Sequence, residues 1–475
     1  MANPFQQAGK WLAREIAEVL SPEAIDAMTK RQQYYEGVQK SPLKVKPGQA
    51  DDNLITNFIG LAVDRANAMM LSGGVQFTVP AGKDSPEYAY LGELWEKNRK
   101  QITLQRWGAD GELFGTAYLE IVPDGITYND KTYPRIVVLK PSLMAIECDE
   151  LDADRVEKYI WQCKVSDNKV ITKVVRRAYN DDVKMADDVM MTVPEGNWVI
   201  EIWETSGNNN NPVLKSATPW LYDFPPIVHN QNLPSIHSVY GVSGLGGAID
   251  IQDKYNQITS NLLKIVRYHA HPKTWGRGFP ANSQTEKASW GADEMIKFSS
   301  ETAELQNLEM QSDLSSSRAI QRDLRQTLFD VTRTVDIASL QDKLGNLTNF
   351  GLRILYGDAL AKNAMRRLLY GEALEEINRR LLIMAELPPE NDVIWGSDMP
   401  ADTKEDAMLI MQDLSAAIIS KQTAAEKRGY TWKDETSDGG EITPGEESKI
   451  AGEKQAGTSV ANNALLGLFT GRNVP

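Results

Sequence analysis

The chain has little cysteine, no long apolar run and no excess of positive charge. Its 475 residues include two cysteines, Cys148 and Cys163, which excludes a disulfide framework and a cysteine-rich zinc module. No stretch approaches the roughly 18 apolar residues that a membrane-spanning helix needs, so no membrane is expected as a partner. The N-terminal stretch places apolar side chains at helical spacing among charges, unlike a signal peptide. These features indicate folding in a reducing, cytoplasm-like compartment.

The charge balance is acidic. Asp and Glu number 65 and Lys and Arg number 51, so the formal net charge is −14. Proteins that hold nucleic acid tightly are usually basic, because clustered cations must neutralise the phosphates. The composition therefore argues against a tight nucleic-acid binder.

The first half of the chain has the pattern of several helices followed by a sheet. Helices are predicted over 5–40, with a break before Pro22, over 53–71 and over 87–114. From 118 to 204, five β-rich runs alternate with turns of Asp, Gly and Asn, which predicts an antiparallel sheet. The fold class is therefore α+β.

Two long helices are predicted after a proline-rich extended connection at 221–237. The first follows a glycine cluster at 241–247, and the second begins near 313, after a compact insertion at 273–312. Apolar residues of the first helix recur in steps of three and four, at Ala248, Ile251, Tyr255, Ile258, Leu262 and Ile265. Such a narrow seam is typical of helices that pack side by side in an oligomer.

The last part of the chain is predicted to be mainly helical. The stretch 347–386 is unusually long for one helix, and Gly357 and Gly371 are its expected kink sites. A strand at 391–397 is expected next, followed by two helices, of which Asp402 with Glu405 caps the first and Ser420 begins the second. Beyond residue 433 the chain is polar and rich in Gly, Glu and Ser, which predicts a disordered tail.

The common motifs of active sites give weak signals. The glycine cluster lacks the G-x-G-x-x-G spacing of a nucleotide site. All four histidines lie between His229 and His271, with Asp250 and Asp253 among them, which leaves a metal-dependent nucleic-acid enzyme open as an alternative. Against it, the helix between the two histidine pairs would span roughly 30 Å. We expect no catalytic residue, no cofactor and no metal.

The second long helix carries arginines among acidic residues. Arg318, Arg322 and Arg325 have the chemistry to contact phosphate. Asp323 and Asp330 lie among them, so a mixed, solvated helix face is the ordinary interpretation. The sequence alone leaves both interpretations open.

A group of residues around the first long helix forms a recognisable pattern. They are Gly241, Ser243, Gln252, Asp253 and Asn256, and they follow an extended segment with proline and asparagine. In this order, residues 225–278 resemble the central signature of portal proteins of tailed bacteriophages, the siphophage-type head-to-tail connector family. Residues 402–430 resemble the terminal region of the same family.

A second likeness to the family covers residues 345–374. Gly345 and Asn346 match the family's loop before its kinked helix. Asn349 and Phe350 stand where the family has small residues, so the detailed geometry of the loop departs from the usual pattern.

The resemblance implies a portal-type fold with long helices, an α+β wing, a small α/β clip and a helical crown. The implied segments are an N-terminal wing region at 1–239, stem helices at 240–268 and 313–337, a clip at 269–312, a tunnel loop at 338–347, a kinked long helix with a wing strand at 348–400, a crown at 401–433 and a tail at 434–475.

The resemblance also implies a function that is not enzymatic. About twelve copies would form a ring at one capsid vertex, through which double-stranded DNA is packaged, retained and ejected. The implied partners are the terminase large subunit, the major capsid protein with its scaffold, and a head–tail connector or adaptor. The implied location is the virion, and the host cytoplasm during assembly. Another head–tail adaptor ring of the virion is the alternative.

In such a ring the tunnel loop would approach the DNA. Lys343 would lie at its tip, with Gln341 and Asn346 near it. Arg318, Arg322 and Arg325 of the second stem helix are further channel candidates. The acidic net charge is compatible with a conduit, because strong binding would slow a moving duplex. Repulsion is also screened within about 8–10 Å at physiological salt, so local residues decide the contact.

Overall fold

The structure is a computed structural model that covers two compact units, Met1–Asp398 and Met399–Pro475. It describes residues 22–47, 51–128, 131–149, 151–152, 154–166, 169–184, 190–206, 212–236, 238–270, 274–277, 304–307, 314–336, 349–397, 403–416 and 418–428, with short pieces at 435–436, 442–443, 445 and 448–449. The first unit contains both helices and sheets, and the predicted α+β class is confirmed.

The helices of the first unit include a long pair near the middle of the chain and a longer one near its end. They are α1 (Pro22–Tyr35), α2 (Phe58–Met70), α3 (Pro86–Lys97), α4 (Lys100–Phe114), α5 (Ala248–Ala270), α6 (Ser315–Thr332), α7 (Asn349–Leu355) and α8 (Gly357–Met384). The second unit contains α9 (Thr403–Ser415) and α10 (Lys421–Lys427). In the described ranges, no helix is both long and apolar enough to cross a membrane.

The strands pair antiparallel throughout. They are β1 (Val75–Thr78), β2 (Thr116–Tyr128), β3 (Lys131–Leu139), β4 (Met144–Cys148), β5 (Val156–Ser166), β6 (Lys169–Arg177), β7 (Asp181–Lys184), β8 (Met190–Val193), β9 (Trp198–Ser206), β10 (Val213–Trp220), β11 (Ile227–Gln231), β12 (Thr274–Arg277), β13 (Glu304–Asn307), β14 (Asp392–Trp395), β15 (Glu435–Thr436) and β16 (Ile442–Thr443). One sheet has the order β10-β9-β6-β5-β4 and another β11-β2-β3. The remaining strands form the pairs β1–β14, β7–β8, β12–β13 and β15–β16.

The second predicted helix begins later than the sequence pattern indicated. It starts at Phe58, and the Asn57 side chain caps it by accepting a hydrogen bond from the Gly60 amide at 2.9 Å. Residues 51–57 have no regular secondary structure. Asn57 is a strong N-cap residue, so the capping rule fixes this boundary better than the apolar spacing does.

The helix predicted over 87–114 is wrong as a single element, because the chain turns between α3 and α4. Arg99 has a φ of 51°, in the left-handed region. The turn is held by Asn98, whose side chain accepts a hydrogen bond from the Ile136 amide at 2.7 Å and donates one to the Pro134 carbonyl at 3.0 Å. Contacts with β3 therefore decide where α3 ends.

The five predicted strands are confirmed as β2, β3, β5, β6 and β9. The segment 221–237 was predicted as a connection only, but it contains β11, which pairs with β2 from Ile227 opposite Glu120 to Gln231 opposite Thr116. Pro225 and Pro226 precede the strand and Pro234 follows it, so none of them interrupts the ladder.

The long helical stretch is interrupted once in its described part. A turn at Tyr356 separates α7 from α8, next to the predicted kink site Gly357. Gly371 is not a break, since α8 runs through it without interruption. A Cβ at this position would lie 3.3 Å from Trp395 Nε1, so the glycine allows β14 to approach the helix closely.

The largest core lies between the three-stranded sheet and the helices α3, α4 and α8. Trp107 and Tyr370 meet edge to face, with ring centroids 4.5 Å apart. Trp95 is fully buried and its indole N–H donates to Asn378 Oδ1 at 2.7 Å. The helix α8 is therefore a central element of the first unit rather than a surface helix.

The second unit is small in its described part. The predicted cap of its last helix is confirmed, since Ser420 Oγ accepts a hydrogen bond from the Thr423 amide at 3.1 Å. Asp402, the predicted capping residue of α9, lies outside the described residues. So does most of the segment predicted to be a disordered tail.

Candidate functional site

The helices α5 and α6 form an antiparallel pair. Gln321 of α6 donates to Thr259 Oγ1 of α5 at 2.8 Å. Phe329, which lies later on α6, packs in one cluster with Ala248 and Ile249 at the start of α5. The predicted seam of α5 is only half-buried beyond Tyr255. The apolar residues further along the helix are therefore still available to another surface.

The other side of α5 packs against residues 51–57, which we call the strap. The contacts are made by buried polar side chains of the helix. Gln252 and Asn256 are 0% and 1% exposed. Asn256 Oδ1 accepts from the Thr56 amide at 3.1 Å and from its hydroxyl at 2.8 Å. Gln252 donates to the Thr56 carbonyl at 2.8 Å and accepts from the Phe58 amide at 3.2 Å. Side-chain amides thus satisfy an extended backbone that no strand pairs with.

The same arrangement continues along α5 for about three more turns. Ser260 Oγ accepts from the Leu54 amide at 3.0 Å. Arg267 then forms an ion pair with Asp52 at 2.6 Å. Because residues spaced by four lie on one helix face, the strap runs antiparallel to α5 along a single line of polar partners.

The acidic residue of the signature holds a different element. Asp253 Oδ1 accepts a hydrogen bond from the Tyr34 hydroxyl at 2.6 Å. Burial, together with this carboxylate, raises the pKa of Tyr34 above its ordinary value. The helix α1 is therefore tied to α5 through a side chain that the sequence pattern also offered as a metal ligand.

The glycine segment before α5 packs against the end of α4. A Cβ on Gly241 would lie 2.3 Å from the Gly115 carbonyl oxygen, which excludes any other residue at this backbone approach. Ser243 Oγ donates to the Leu113 carbonyl at 2.9 Å and accepts from the Leu245 amide at 3.3 Å. The segment serves close packing of the chain, as expected from its lack of a nucleotide-binding spacing.

A buried ionic cluster lies where α4, α6 and α8 meet. Glu112, Lys362 and Arg366 are 1%, 3% and 1% exposed. Lys362 donates to the Glu112 carboxylate and, at 2.8 Å, to the carbonyl of Thr332, the last residue of α6. Arg366 lies 3.5 Å from Glu112 Oε2 and donates to Asn232 Oδ1 at 2.8 Å. The Lys362 ammonium of α8 therefore links the end of α6 to the Glu112 carboxylate of α4.

The cluster also reaches one further helix, α2, and the glycine segment. Arg366 donates to the carbonyls of Ala66 and Gly108, at 2.9 and 3.1 Å. A Cβ on Gly244 would lie 1.8 Å from Glu112 Oε1, so the carboxylate occupies the space that a side chain would need. The helices α2, α4 and α8 and the base of the α5–α6 pair thus meet at these buried charges.

The electrostatics of the cluster keep Glu112 ionised. Burial alone would raise the pKa of this carboxyl, but Arg366 and Lys362 outweigh it and hold the pKa below the ordinary value of 4.5. Two cations face one anion, and carbonyl oxygens solvate the remaining positive charge. A buried ion network of this kind is costly to break, because removing one partner leaves an unpaired charge.

The predicted channel residues on α6 differ in their surroundings. Arg318 and Arg322 are exposed. Arg325 is half-buried, pairs with Asp336 at 2.8 Å and lies 5.2 Å from the centre of the Phe58 ring. These contacts hold the end of α6 in place, and they direct the guanidinium toward Asp336 and Phe58 instead of solvent.

The predicted tunnel-loop residues lie outside the described residues. They are Gln341, Lys343, Gly345 and Asn346, and all of them fall between the end of the described α6 region and α7. Their role as channel contacts stays a prediction.

The histidine and aspartate residues do not form a metal site in the described part of the chain. His229 Nδ1 is hydrogen-bonded to the Tyr159 hydroxyl at 2.9 Å, and burial, with Arg380 nearby, lowers the pKa of His229 to about 4. No group of three or more His, Cys, Asp or Glu side chains in the described ranges is placed to hold a metal ion. His237 and His271 lie outside those ranges.

The sequence pattern missed the buried cluster entirely. Lys362, Arg366 and Tyr370 recur every four residues on α8, which is a visible signal of one helix face. When the surroundings of a helix are unknown, such a polar face is normally predicted to face solvent. Nothing in the sequence around Glu112 indicates that its carboxylate pairs with this face.

These contacts hold the strap and the helices α2, α4 and α8 against the α5–α6 pair. A family model described as phage portal protein, SPP1 Gp6-like, matches residues 21–429. The chain belongs to this family of portal proteins, so the predicted membership is confirmed. Among curated proteins none matches.

A solved structure has the same fold. It is a chain from the neck of an empty GTA particle, computed with C6 symmetry, at a TM-score of 0.50 and 13% sequence identity. The likeness covers 86% of this chain and 94% of that one. At 13% identity this structural likeness supports only the fold, and the match to the portal family supports the function. Portal proteins are structural components of the virion that form oligomeric rings associated with capsid and connector proteins.

Proposed function

We propose that about twelve copies of this chain form a ring at one capsid vertex, and that double-stranded DNA is packaged, retained and ejected through it. The observation that carries the proposal is the match of the portal family to residues 21–429. It spans the α+β region, the α5–α6 pair, the long helix and the last helices in one continuous order.

The α5–α6 pair is the proposed stem around the channel. A conduit under pressure from packed DNA needs a wall whose helices keep their position. The strap fixes α5 through Gln252 and Asn256, and Lys362 fixes the end of α6 through the Thr332 carbonyl. Hydrogen bonds made by buried polar groups are directional, so they oppose sliding of one helix along the other more than apolar contacts do.

The tunnel loop, 338–347, is the proposed contact with DNA. Lys343 would meet the phosphates, with Gln341 and Asn346 beside it. Arg318 and Arg322 are the further candidates, because both are exposed on α6. Arg325 is the weakest candidate for contact with DNA, because Asp336 already pairs with its guanidinium. A few cations in an acidic chain, with a net charge of −14, suit weak and transient contact with a moving duplex.

The other segments are the proposed docking surfaces. The clip, 269–312, which includes the β12–β13 pair, would receive the terminase large subunit and later a head–tail connector or adaptor. The major capsid protein and its scaffold would contact the ring during assembly in the host cytoplasm. In this account the chain hydrolyses nothing, and the separate terminase supplies the energy for DNA movement.

Assembly with the partner proteins tests the proposal. The chain is produced with the major capsid protein and scaffold, and the particles are imaged by electron microscopy and then supplied with terminase, ATP and DNA. We expect one ring per particle at a vertex, and nuclease-protected DNA only in particles that contain it. DNA protection of equal yield in particles without the ring would overturn the proposal.

A further inference from the structure

The chain leaves α6 through a turn with an unusual backbone conformation. Arg333, the residue after the helix, has a φ of 52°, in the left-handed region where glycine is the ordinary residue. Its amide donates to the Asp330 carbonyl at 3.0 Å, and the Thr334 amide donates to the Phe329 carbonyl at 2.9 Å. These two bonds form a Schellman motif, which ends the helix. An arginine is strained in this conformation, so the surroundings must hold it there.

Cations from two other helices hold the backbone on either side of this turn. Lys362 of α8 donates to the Thr332 carbonyl at 2.8 Å. Arg65 of α2 donates through Nη1 to the Val335 carbonyl at 2.9 Å. Hydrogen bonds from charged donors are stronger than those between neutral groups. The turn is therefore fixed by one backbone contact before it and one after it.

An aromatic ring keeps Arg65 in place. The Arg65 guanidinium lies 5.3 Å from the centre of the Phe329 ring, which is buried at the end of α6. The Arg325 guanidinium lies 5.9 Å from the centre of the same ring and pairs with Asp336 at 2.8 Å. The face of an aromatic ring attracts a cation. The chain is thus held as far as Asp336, two residues before the proposed tunnel loop, 338–347.

The turn also borders open space. Residues 333–336 line a cavity of about 440 Å³, together with Leu355, Asp358 and Ala359 from the end of α7 and the start of α8. Close packing cannot hold the turn where it faces this cavity. Directional contacts such as the hydrogen bond from Arg65 therefore set its position.

We propose that Arg65 is a positioning residue for the proposed tunnel loop and acts through its hydrogen bond to the Val335 carbonyl. The inference rests on the proposed function, in which residues 338–347 contact DNA in the channel. Force from moving DNA would reach the stem through the chain that joins it to the loop, and Arg65 holds that chain. Without this bond the strained turn at Arg333 relaxes, and the loop loses its fixed starting point.

DNA retention in assembled particles tests the proposal. Arg65→Met removes the charge and the donors but leaves an unbranched side chain beside Phe329, whereas Arg65→Lys keeps the charge and a donor. We expect Arg65→Met to lower nuclease-protected DNA at least threefold at an unchanged ring yield, and Arg65→Lys to restore most of it. Arg106→Met, which removes an exposed arginine of α4, is the control for charge and should retain DNA normally. Unchanged retention in Arg65→Met, or an equal loss in Arg106→Met, would overturn the inference.

Hydrogen exchange, followed by mass spectrometry on the unassembled chain, separates a local effect from a general loss of stability. We expect the amides of residues 333–336 to exchange at least tenfold faster in Arg65→Met, while those of residues 373–382 in α8 keep their rates. Equal acceleration of both segments, or none at 333–336, would overturn the inference. Failure of the unaltered chain to form rings that protect DNA would instead refute the proposed function, and the exchange measurement would still test the role of Arg65 at the turn.

Discussion

Asn256 accepts hydrogen bonds from both the backbone amide and the hydroxyl of Thr56, at 3.1 and 2.8 Å, although 200 residues separate them in the chain. The contact gives a physical role to a residue that the sequence offered only as part of a family pattern. An extended segment outside a sheet must find partners for its backbone, and here a helix supplies them through its side chains. The strap and α5 consequently form one structural piece.

Loss of that side chain should destabilise the fold. Asn256→Ala leaves the amide of the half-buried Thr56 without its acceptor and removes one of the two hydrogen bonds of the Thr56 hydroxyl, which costs roughly 1–3 kcal/mol of unfolding free energy. Chemical denaturation of the monomer measures it. Gln257→Ala, the exposed neighbour on the same helix, is the control and should change stability by less than about 0.5 kcal/mol. Equal effects of the two changes would mean that the hydrogen bonds of Asn256 do not hold the strap.

The glycine segment should tolerate a methyl group at one position and not at another. Gly244→Ala places a Cβ against the Glu112 carboxylate and should destabilise the chain by about 1–3 kcal/mol, because the buried cluster has to shift. Gly247→Ala meets no atom within 4 Å and should be nearly neutral. Thermal unfolding of both variants makes the comparison, and a neutral Gly244→Ala would contradict the placement of Glu112.

His229 should make stability fall in mild acid. Its pKa is about 4 in the folded chain against an ordinary 6.5, so the folded state keeps the ring neutral. Below pH 6.5 the unfolded chain gains a proton that the folded chain does not, and stability declines until the pH reaches about 4. The loss amounts to at most about 3 kcal/mol.

The variant His229→Gln isolates this effect while its amide can still bond to Tyr159. Its unfolding free energy should fall less between pH 7.5 and pH 4.5 than that of the unaltered chain, as measured by urea denaturation at each pH. Parallel pH profiles for the two chains would show that His229 does not titrate as the buried environment requires.

Reversal of charge at the proposed loop tip should affect DNA rather than assembly. Lys343→Glu should reduce packaged or retained DNA several-fold, because a carboxylate repels phosphate at close range. Ring yield should stay the same. Lys83→Glu, an exposed lysine elsewhere, is the control for net charge. Loss of ring formation without any packaging defect in the rings that remain would contradict the loop assignment.

Sequence patterns predicted helices and strands well where residues close together in the chain determine the local structure. The apolar spacing that begins at Ala248 predicted α5, and the capping side chain of Ser420 predicted the start of α10. Five strands between 118 and 204 followed from β-rich runs and turn residues, whereas β4, β7 and β8 were not predicted. In each case the controlling residues lie within a few positions of the element.

Features that depend on distant partners were not predictable. The break between α3 and α4 follows from bonds that Asn98 makes to β3, and β11 exists because β2 lies beside it. The cluster of Glu112 and Lys362 joins residues from α4 and α8, whose charges alone indicate solvent. Spacing along the chain carries no information about such pairs, so only the folded arrangement identifies them.

The mass and symmetry of the assembled particle decide whether the chain forms a ring around a channel. Light scattering with negative-stain electron microscopy is applied to the chain under assembly-permissive salt, with capsid and scaffold proteins added if it stays dissociated. We expect particles with a central hole and a mass of about 635 kDa, for twelve copies of a 52.9 kDa chain. A strict monomer under all of these conditions, or a closed assembly without a channel, would contradict it.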